Sequence, residues 1–406
     1  MNIRTITYFL DPGWPLNEQA LKQAGEFIQT ARPAFEDQGY AVQTARLTTS
    51  PFPEILGADR LEQAVDLANA LREAAAEVGF EYVSIGPALP QHPGSFEAIP
   101  DILSRMEGVF VSGVMASPAM GISLPAVRHC AEVIQRIAPI EPNGFANLYF
   151  AAMANVPPQT PFFPASYHRG GEPTFGLGIE SADLAVASFE GAGSINSARR
   201  RLSDMLSAAG QGLARVGGQL EGRFGIPFTG IDFSLAPFPE ELKSIGTAIE
   251  RMGIPAVGVQ GTLAAAAVLA HALDRADFPR AGFNGLFLPV LEDAVLARRA
   301  AEGRLRANDL LLYSAVCGSG LDILPLPGDT SAEELAPILL DLCALALRLD
   351  KPLAARLMPV PGKQAGDPTN FDFSFFANGR VMATQSEPLG GMLAGDEFVE
   401  IKPRND

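Results

Sequence analysis

Cysteine is scarce: three occur in 406 residues, Cys130, Cys317 and Cys343, and no CxxC pair is present. That excludes a disulfide framework and fits a reduced, intracellular setting. Positive charge is also in short supply, with 30 Lys and Arg against 46 Asp and Glu and a net charge of −16. The longest basic run is Arg199-Arg200-Arg201 on a predicted helix, which argues against nucleic-acid or anionic-membrane partners. No apolar run approaches the ~20 residues of a membrane span. Residues 1–14 lack the basic-then-apolar build of a signal peptide, so a cytoplasmic location is expected. Motifs are missing as well. There is no Walker A loop, GxGxxG, HExxH or GxSxG, so nucleotide binding, zinc hydrolysis and serine hydrolysis have no positive support. No cofactor is expected, and a divalent metal is left open.

What is present is a long alternation of strand-like and helix-like stretches. Hydrophobic residues make up 47% and charged residues 19%, the balance of a globular protein with a sizeable core. Strands are predicted at residues 3–9, 41–47, 81–85, 108–114, 148–154, 174–179, 228–235, 254–259, 285–289, 310–316, 321–326, 353–358 and 380–384. Helices are predicted at 17–35, 59–78, 96–106, 123–137, 183–223 with a break near 191–193, 291–302 and 331–349. A further helix is predicted directly after Pro239. Residues 362–367 read as a polar, lid-like loop. No linker interrupts the series, so the reading is a single α/β domain over residues 1–406, either one large barrel or a doubly wound sheet.

The richest stretch for chemistry is residues 155–172, NVPPQTPFFPASYHRGGE. A long loop shaped by proline and glycine and rich in aromatics is a functional candidate. His168 and Glu172 lie four apart, a spacing that allows a carboxylate to hold an imidazole for proton transfer; a structural hydrogen bond is the alternative. Asn155 and Tyr167 are candidate substrate contacts in the same loop. Asp232 stands in an apolar strand, where an ionised carboxylate is costly unless paired or bound. It is read as a base, a ligand anchor or a clamp on backbone amides. Glu180 ends the preceding strand and is a candidate partner for Asp232 in a two-carboxylate mechanism of the glycosidase type. Glu292 and Asp293 read as first-turn helix acids or as an acid and ligand pair. Arg4 and Arg356 are charged residues within apolar strands, suited to an anionic group or to a buried ion pair. The glycine turns around Gly261-Thr262 and Cys317, in GVQGT and CGSG, are candidate cradles for an anion, and Asp322 follows as an anchor. Cys317 is read as a nucleophile or an inert buried thiol.

Taken in order, IRTIT at 3–7, Gly121-Ile122, the Asn155, Pro161-Phe162, His168 and Gly171-Glu172 series, DFSLAPFP at 232–239 and the Gly258, Gly261-Thr262 turn form a specific set. Gly285, Phe287, Pro289-Val290, Glu292-Asp293, Cys317, Gly320-Leu321-Asp322, Asp329-Thr330, Arg356 and Pro359 extend it over nearly the whole chain. The set resembles uncharacterised protein family 0210, also known as domain of unknown function 711. The resemblance implies a single ten-stranded β/α barrel related to the pyruvate formate-lyase-like glycyl-radical fold, and a homodimer. It does not imply radical chemistry, because the RVxGY-type glycine motif is missing from the tail. The chain departs from the pattern at Pro157, Pro158 and Gln159, at Gln260 and at Glu180.

The functional expectation is an enzyme acting on a polar small molecule at the carboxyl-end mouth of the barrel. A glycosidase-like hydrolase is the leading version, with His168, Glu172, Asp232 and Glu180 as acid–base groups. The alternatives are a non-catalytic binding or regulatory protein for an amino acid or carboxylate, and a metal-dependent enzyme using Asp232, Glu292 and Asp322.

Overall fold

A computed structural model describes residues 1–317 and 319–404. Its centre is an eleven-stranded mixed sheet: β1 (Asn2–Leu10), β2 (Val42–Thr49), β3 (Tyr82–Ala88), β4 (Val109–Ser117), β5 (Gly121–Ser123), β6 (Phe150–Ala154), β7 (Thr174–Glu180), β8 (Phe228–Ala236), β9 (Gly320–Pro327), β10 (Leu353–Val360) and β11 (Phe398–Val399). The main path runs β8-β7-β1-β2-β3-β4-β6-β10-β9, with β5 and β11 attached beside β4. Strands β1, β2, β3, β4 and β6 are mutually parallel. Antiparallel pairings of β1 with β7 and of β6 with β10 flank that block. Parallel strands covered on both faces read as nearly continuous apolar runs, which is why β7 and β8 are visible in the sequence.

The amphipathic helices predicted from periodicity form at Glu18–Glu36, Ala64–Glu77, Gly94–Arg105, Leu124–Ile137 and Ala332–Arg348. Ser331 caps the last of these in a reciprocal capping box with Glu334, leaving Thr330 outside it. The expected break near residues 191–193 separates Ala182–Phe189 from Ile195–Phe224. Phe27 packs 4.7 Å from Phe175 and 5.3 Å from Tyr8, fixing the first helix to one face of β1 and β7. No helix among the described residues is long and apolar enough to cross a membrane.

Several expectations change. Residues 254–259 are turns rather than a strand, because Gly258 lies at φ +102° with no room for a Cβ beside the Arg304 carbonyl. Residues 310–316 fall largely in a helix, Ala307–Tyr313, whose first turn Asp309 closes onto the Arg306 amide. Pro239 does not open a helix; Ser244 caps one at Ile245–Arg251 instead. Residues 380–384 contribute a single bridge, Arg380 with Pro368. Gly318 of the CGSG turn lies outside the described residues.

Residues 280–290 form no continuous strand, yet they touch both ends of the sheet path. Ile231 bridges Arg280 and Asp322 bridges Pro289. The Ala281 amide donates to Ile231 O at 3.1 Å and the Val290 amide to Asp322 O at 3.1 Å.

The loop from Asn155 to Glu172 lies on the face of β1–β3 opposite the helices. Thr7 donates to Pro161 O at 2.8 Å, while Thr48 and Ser84 each donate to Ser166 O at 3.1 Å. These hydroxyls satisfy two loop carbonyls that would otherwise be buried without a donor. The sheet therefore holds the loop from beneath, and its Phe162-Phe163 tip forms part of a cavity.

Candidate functional site

The cavity holds about 110 Å³. Its floor comes from the starts of β1–β4, its sides from the ends of β7 and β8, and one wall from β10, so it lies at the amino ends of the central parallel strands and not at the expected carboxyl-end mouth. Arg4, Arg46, Arg356, Glu180 and Glu292 face it, and Phe162, Phe163, Phe110, Tyr82, Tyr149, Phe287, Phe373 and Phe375 supply its aromatic surface.

Two of the arginines sit at irregularities in the ladders. The register of β1 against β7 shifts between Ile3 and Thr5, and that of β10 against β9 shifts between Ala355 and Leu357. Arg4 and Arg356 are the residues in those gaps. A bulge re-aims a side chain that strict alternation would have sent to the other face. Arg46 follows from ordinary pleating: it shares a face of β2 with Thr44 and lies opposite Tyr82 of β3.

Arg356 is clamped. Its Nε and Nη2 donate to the two Asp322 oxygens at 2.5 and 2.9 Å, and Nη2 lies 3.4 Å from Glu292. Burial acts to lower its pKa, but Asp322 and Glu292 outweigh burial and hold it up. Arg4 lies 3.6 Å from Glu180 and 3.9 Å from Glu292, with its guanidinium 4.4 Å over the Phe375 ring.

Arg46 is different. It is 8% exposed, and its Nε donates to Thr44 Oγ1 at 3.0 Å. Its guanidinium lies 5.1 Å from the Phe163 ring and 5.8 Å from Tyr82. Among the described residues it has no carboxylate partner, and its Nη atoms have no acceptor. Burial, reinforced by the neighbouring charge of Arg4 and only partly offset by Tyr82 and Glu292 at longer range, brings its pKa down to about 9, so it stays cationic at neutral pH.

Glu180 accepts from Gln43 Nε2 at 2.8 Å and from Asn2 Nδ2 at 3.4 Å. Burial raises its pKa, although Gln43 and Arg4 act in the opposite direction.

The other sequence candidates lie elsewhere. His168 is 0% exposed and both ring nitrogens lack a partner. Glu172 lies on the exposed surface, so the expected His168–Glu172 hydrogen bond does not form. Burial lowers the His168 pKa to about 4, keeping the ring neutral beside Phe9.

Asp232 does not line the cavity. It accepts from the Phe283 amide at 2.6 Å, from the Asn284 amide at 3.1 Å and from the Ser234 hydroxyl. Burial still pushes its pKa up to about 7. A Cβ on Gly282, whose φ is +75°, would stand 2.3 Å from Asp232 Oδ2, so only glycine lets the backbone close over this carboxylate. Of the two-carboxylate pair, Glu180 lines the cavity and Asp232 clamps residues 282–284.

Asn155 donates to Asp350 at 3.2 Å and the Tyr167 hydroxyl to Val156 O at 2.9 Å, both away from the cavity. Thr262 accepts from the Gly258 amide at 3.1 Å and donates to Val259 O at 2.7 Å; with Gly261 it starts the helix Thr262–Asp274. Burial raises the pKa of Cys317, which favours an inert thiol over a nucleophile. Asp293 caps Ala294–Ala301 and accepts from Ser244 at 2.6 Å, whereas its neighbour Glu292 faces the cavity. Among the described residues no group of three or more His, Cys, Asp or Glu is arranged to hold a metal ion. Asp322 and Glu292 meet at Arg356, but Asp232 does not join them.

The sequence reading thus found Arg4, Glu180, Glu292, Asp322 and Arg356. It missed Arg46, Gln43, Tyr82 and the Phe373 and Phe375 wall. Arg46 carried a usable signal, since it interrupts the apolar half of a predicted strand as Arg4 does.

A mixed α/β fold with a charged and aromatic cavity is the class this chain represents. The family described as Uncharacterised ACR (DUF711) matches residues 1–378, and the chain belongs to it. Similar proteins include a UPF0210 protein of Pyrobaculum aerophilum, 35% identical over 373 residues that cover 84% of this chain and 79% of the relative. A UPF0210 protein of Methanopyrus kandleri is 32% identical, with 87% and 82% coverage. One from Halothermothrix orenii is 29% identical, with 91% and 88% coverage.

Proposed function

We propose that this protein binds a small anionic metabolite in the arginine-rich cavity. One observation carries the reading: Arg46 is a buried cation with free Nη donors and no carboxylate of its own. An unpaired buried charge is costly, and an anionic ligand supplies the missing partner in a bidentate geometry that guanidinium favours. The aromatic walls exclude water and leave little for the anion to compete with.

Turnover by acid–base chemistry is the second reading, and Glu180 favours it. Burial raises the pKa of this carboxylate, as a general acid requires, and Glu292 stands on the other side of Arg4 in the same cavity. A hydrolase here would use Glu180 and Glu292, in place of the His168, Glu172 and Asp232 set.

The ten-stranded barrel belongs to this reading too. The bridges of residues 280–290 to Ile231 and Asp322 support a tenth strand that joins β8 to β9 and closes a ring around the loop at 155–172.

Isothermal titration of the full chain with small carboxylates and phosphate, beside an Arg46→Gln variant, tests the proposal. Binding by the parent chain and none by the variant is expected. Equal binding by both would remove Arg46 from the site and end the reading.

A further inference from the structure

We propose that the anion is a small carboxylate bearing a hydrogen-bond donor, a hydroxyl or ammonium group, on the same short carbon skeleton. This rests on the cavity being the ligand site. Donors and acceptors are divided unevenly within it.

Arg46 offers only donors, with Nε already used on Thr44 and both Nη groups free. The Phe163 and Tyr82 rings stand 5.1 and 5.8 Å from its guanidinium carbon, and its Nη edge is the part left without a partner. A planar carboxylate fits that edge with two parallel bonds; a tetrahedral phosphate gains less from the planar match.

Glu180 offers only acceptors. Gln43 and Asn2 occupy part of its capacity, and an ionised carboxylate has about four lone-pair sites. Glu292 adds acceptor oxygens beside Arg4. A simple carboxylate such as propionate would leave these groups facing methylene, whereas a hydroxyl or ammonium group satisfies one.

Size narrows the class further. At about 110 Å³, walled by aromatic rings, the cavity suits a short acid. Charge is balanced as well. Arg4, Arg46 and Arg356 face Glu180, Glu292 and Asp322, so an amino acid adds no net charge to the buried set and a hydroxy acid adds one negative charge.

The test is calorimetric titration of the full chain with two matched series: propionate, lactate and alanine, then succinate, malate and aspartate. Inorganic phosphate is included as a separate arm. In at least one series the donor-bearing ligand is expected to bind about tenfold tighter than its parent acid, the worth of one charge-assisted hydrogen bond. Glu180→Leu should bring each set to within about twofold, against the tenfold step of ~1.4 kcal/mol. Glu180→Gln keeps a neutral acceptor, so it should preserve the preference for a hydroxyl and lose that for an ammonium group. Melting curves on each variant separate loss of binding from loss of folding.

Equal affinity for parent and donor-bearing acids, with binding still dependent on Arg46, would overturn this inference and leave the anion site standing. Binding of phosphate alone would overturn the carboxylate assignment. No binding in any arm would overturn both.

Discussion

Arg46 and Arg356 face one cavity with the same charge, but only Arg356 has carboxylates of its own. Asp322 and Glu292 hold Arg356, while Arg46 rests between aromatic rings with a threonine hydroxyl on its Nε. The two side chains therefore answer oppositely to the same substitution. Arg46→Met removes a buried charge that no carboxylate contacts, so the melting temperature should hold or rise while ligand binding is lost. Arg356→Met strands two acids and should cost about 3–5 kcal/mol, the usual result of breaking a buried ion pair from one side. Denaturant titrations of both variants decide the matter; a large destabilisation by Arg46→Met would show that its role is structural.

Asp232 is a clamp, and its neutral isostere should reveal this. Asp232→Asn leaves one acceptor oxygen where the Phe283 and Asn284 amides and Ser234 now converge. An unsatisfied buried donor costs about 1–3 kcal/mol, so stability should fall by that order. Affinity for the cavity ligand should be unchanged, because the side chain does not line it. Loss of turnover without loss of stability would instead restore Asp232 as a catalytic group.

His168 and Asp232 also set opposing pH dependences. The folded-state pKa of His168 is depressed to about 4 from 6.5. Between those values the unfolded chain binds more protons, so the contribution of His168 to stability falls as pH drops from 6.5 to about 4. The pKa of Asp232 is raised to about 7 from 3.8, so between those values the folded chain binds more protons and stability from this group increases on acidification. His168→Leu should therefore make acidification from pH 6.5 to 4 less damaging, and Asp232→Asn should make it more so. Melting temperatures across that range check both signs; no change of slope in either variant would refute the assignment.

These contrasts show where the sequence was legible. Arg4 and Arg356 drew notice because a charge in an apolar strand needs a reason, Glu180 because it ends a strand as a candidate partner for Asp232, and all three line the cavity. His168 drew notice for its chemistry and for its spacing from Glu172. That spacing implies an (i, i+4) contact only on a helix, and residues 155–172 fold as an irregular loop. The strand pattern located most of the sheet because alternation and apolar runs are local properties. Residues 254–259 failed for a local reason as well, since glycine at positive φ outweighs the β-branched content around it. Phe373 and Phe375 were out of reach: nothing near them in sequence signals that the chain returns, after more than 300 positions, to cover Arg4.

That return gives the last prediction. Residues 368–380 form a loop pinned at its base, where Pro368 bridges Arg380 and the Thr369 amide donates to Gly379 O at 3.0 Å. Asn378 ties the loop internally, accepting from the Phe371 amide at 2.7 Å and donating to Phe371 O at 3.1 Å. Phe371 and Phe376 dock in a satellite apolar cluster with Leu148, Leu291, Ile323 and Met358, separate from the main core. Phe373 and Phe375 line the cavity between those anchors, whereas the polar turn at 362–367 that reads as a lid is exposed. Phe375→Ala should therefore open the cavity without disturbing the anchors. Dissociation should speed up more than association, since the ring shields Arg4 and excludes water once ligand is bound. Stopped-flow traces on this variant and on Phe371→Ala make the distinction: the first should change ligand kinetics with little effect on melting, and the second should lower the melting temperature because it empties the docking cluster. If Phe375→Ala leaves both rate constants as they are, the ring is packing rather than a gate.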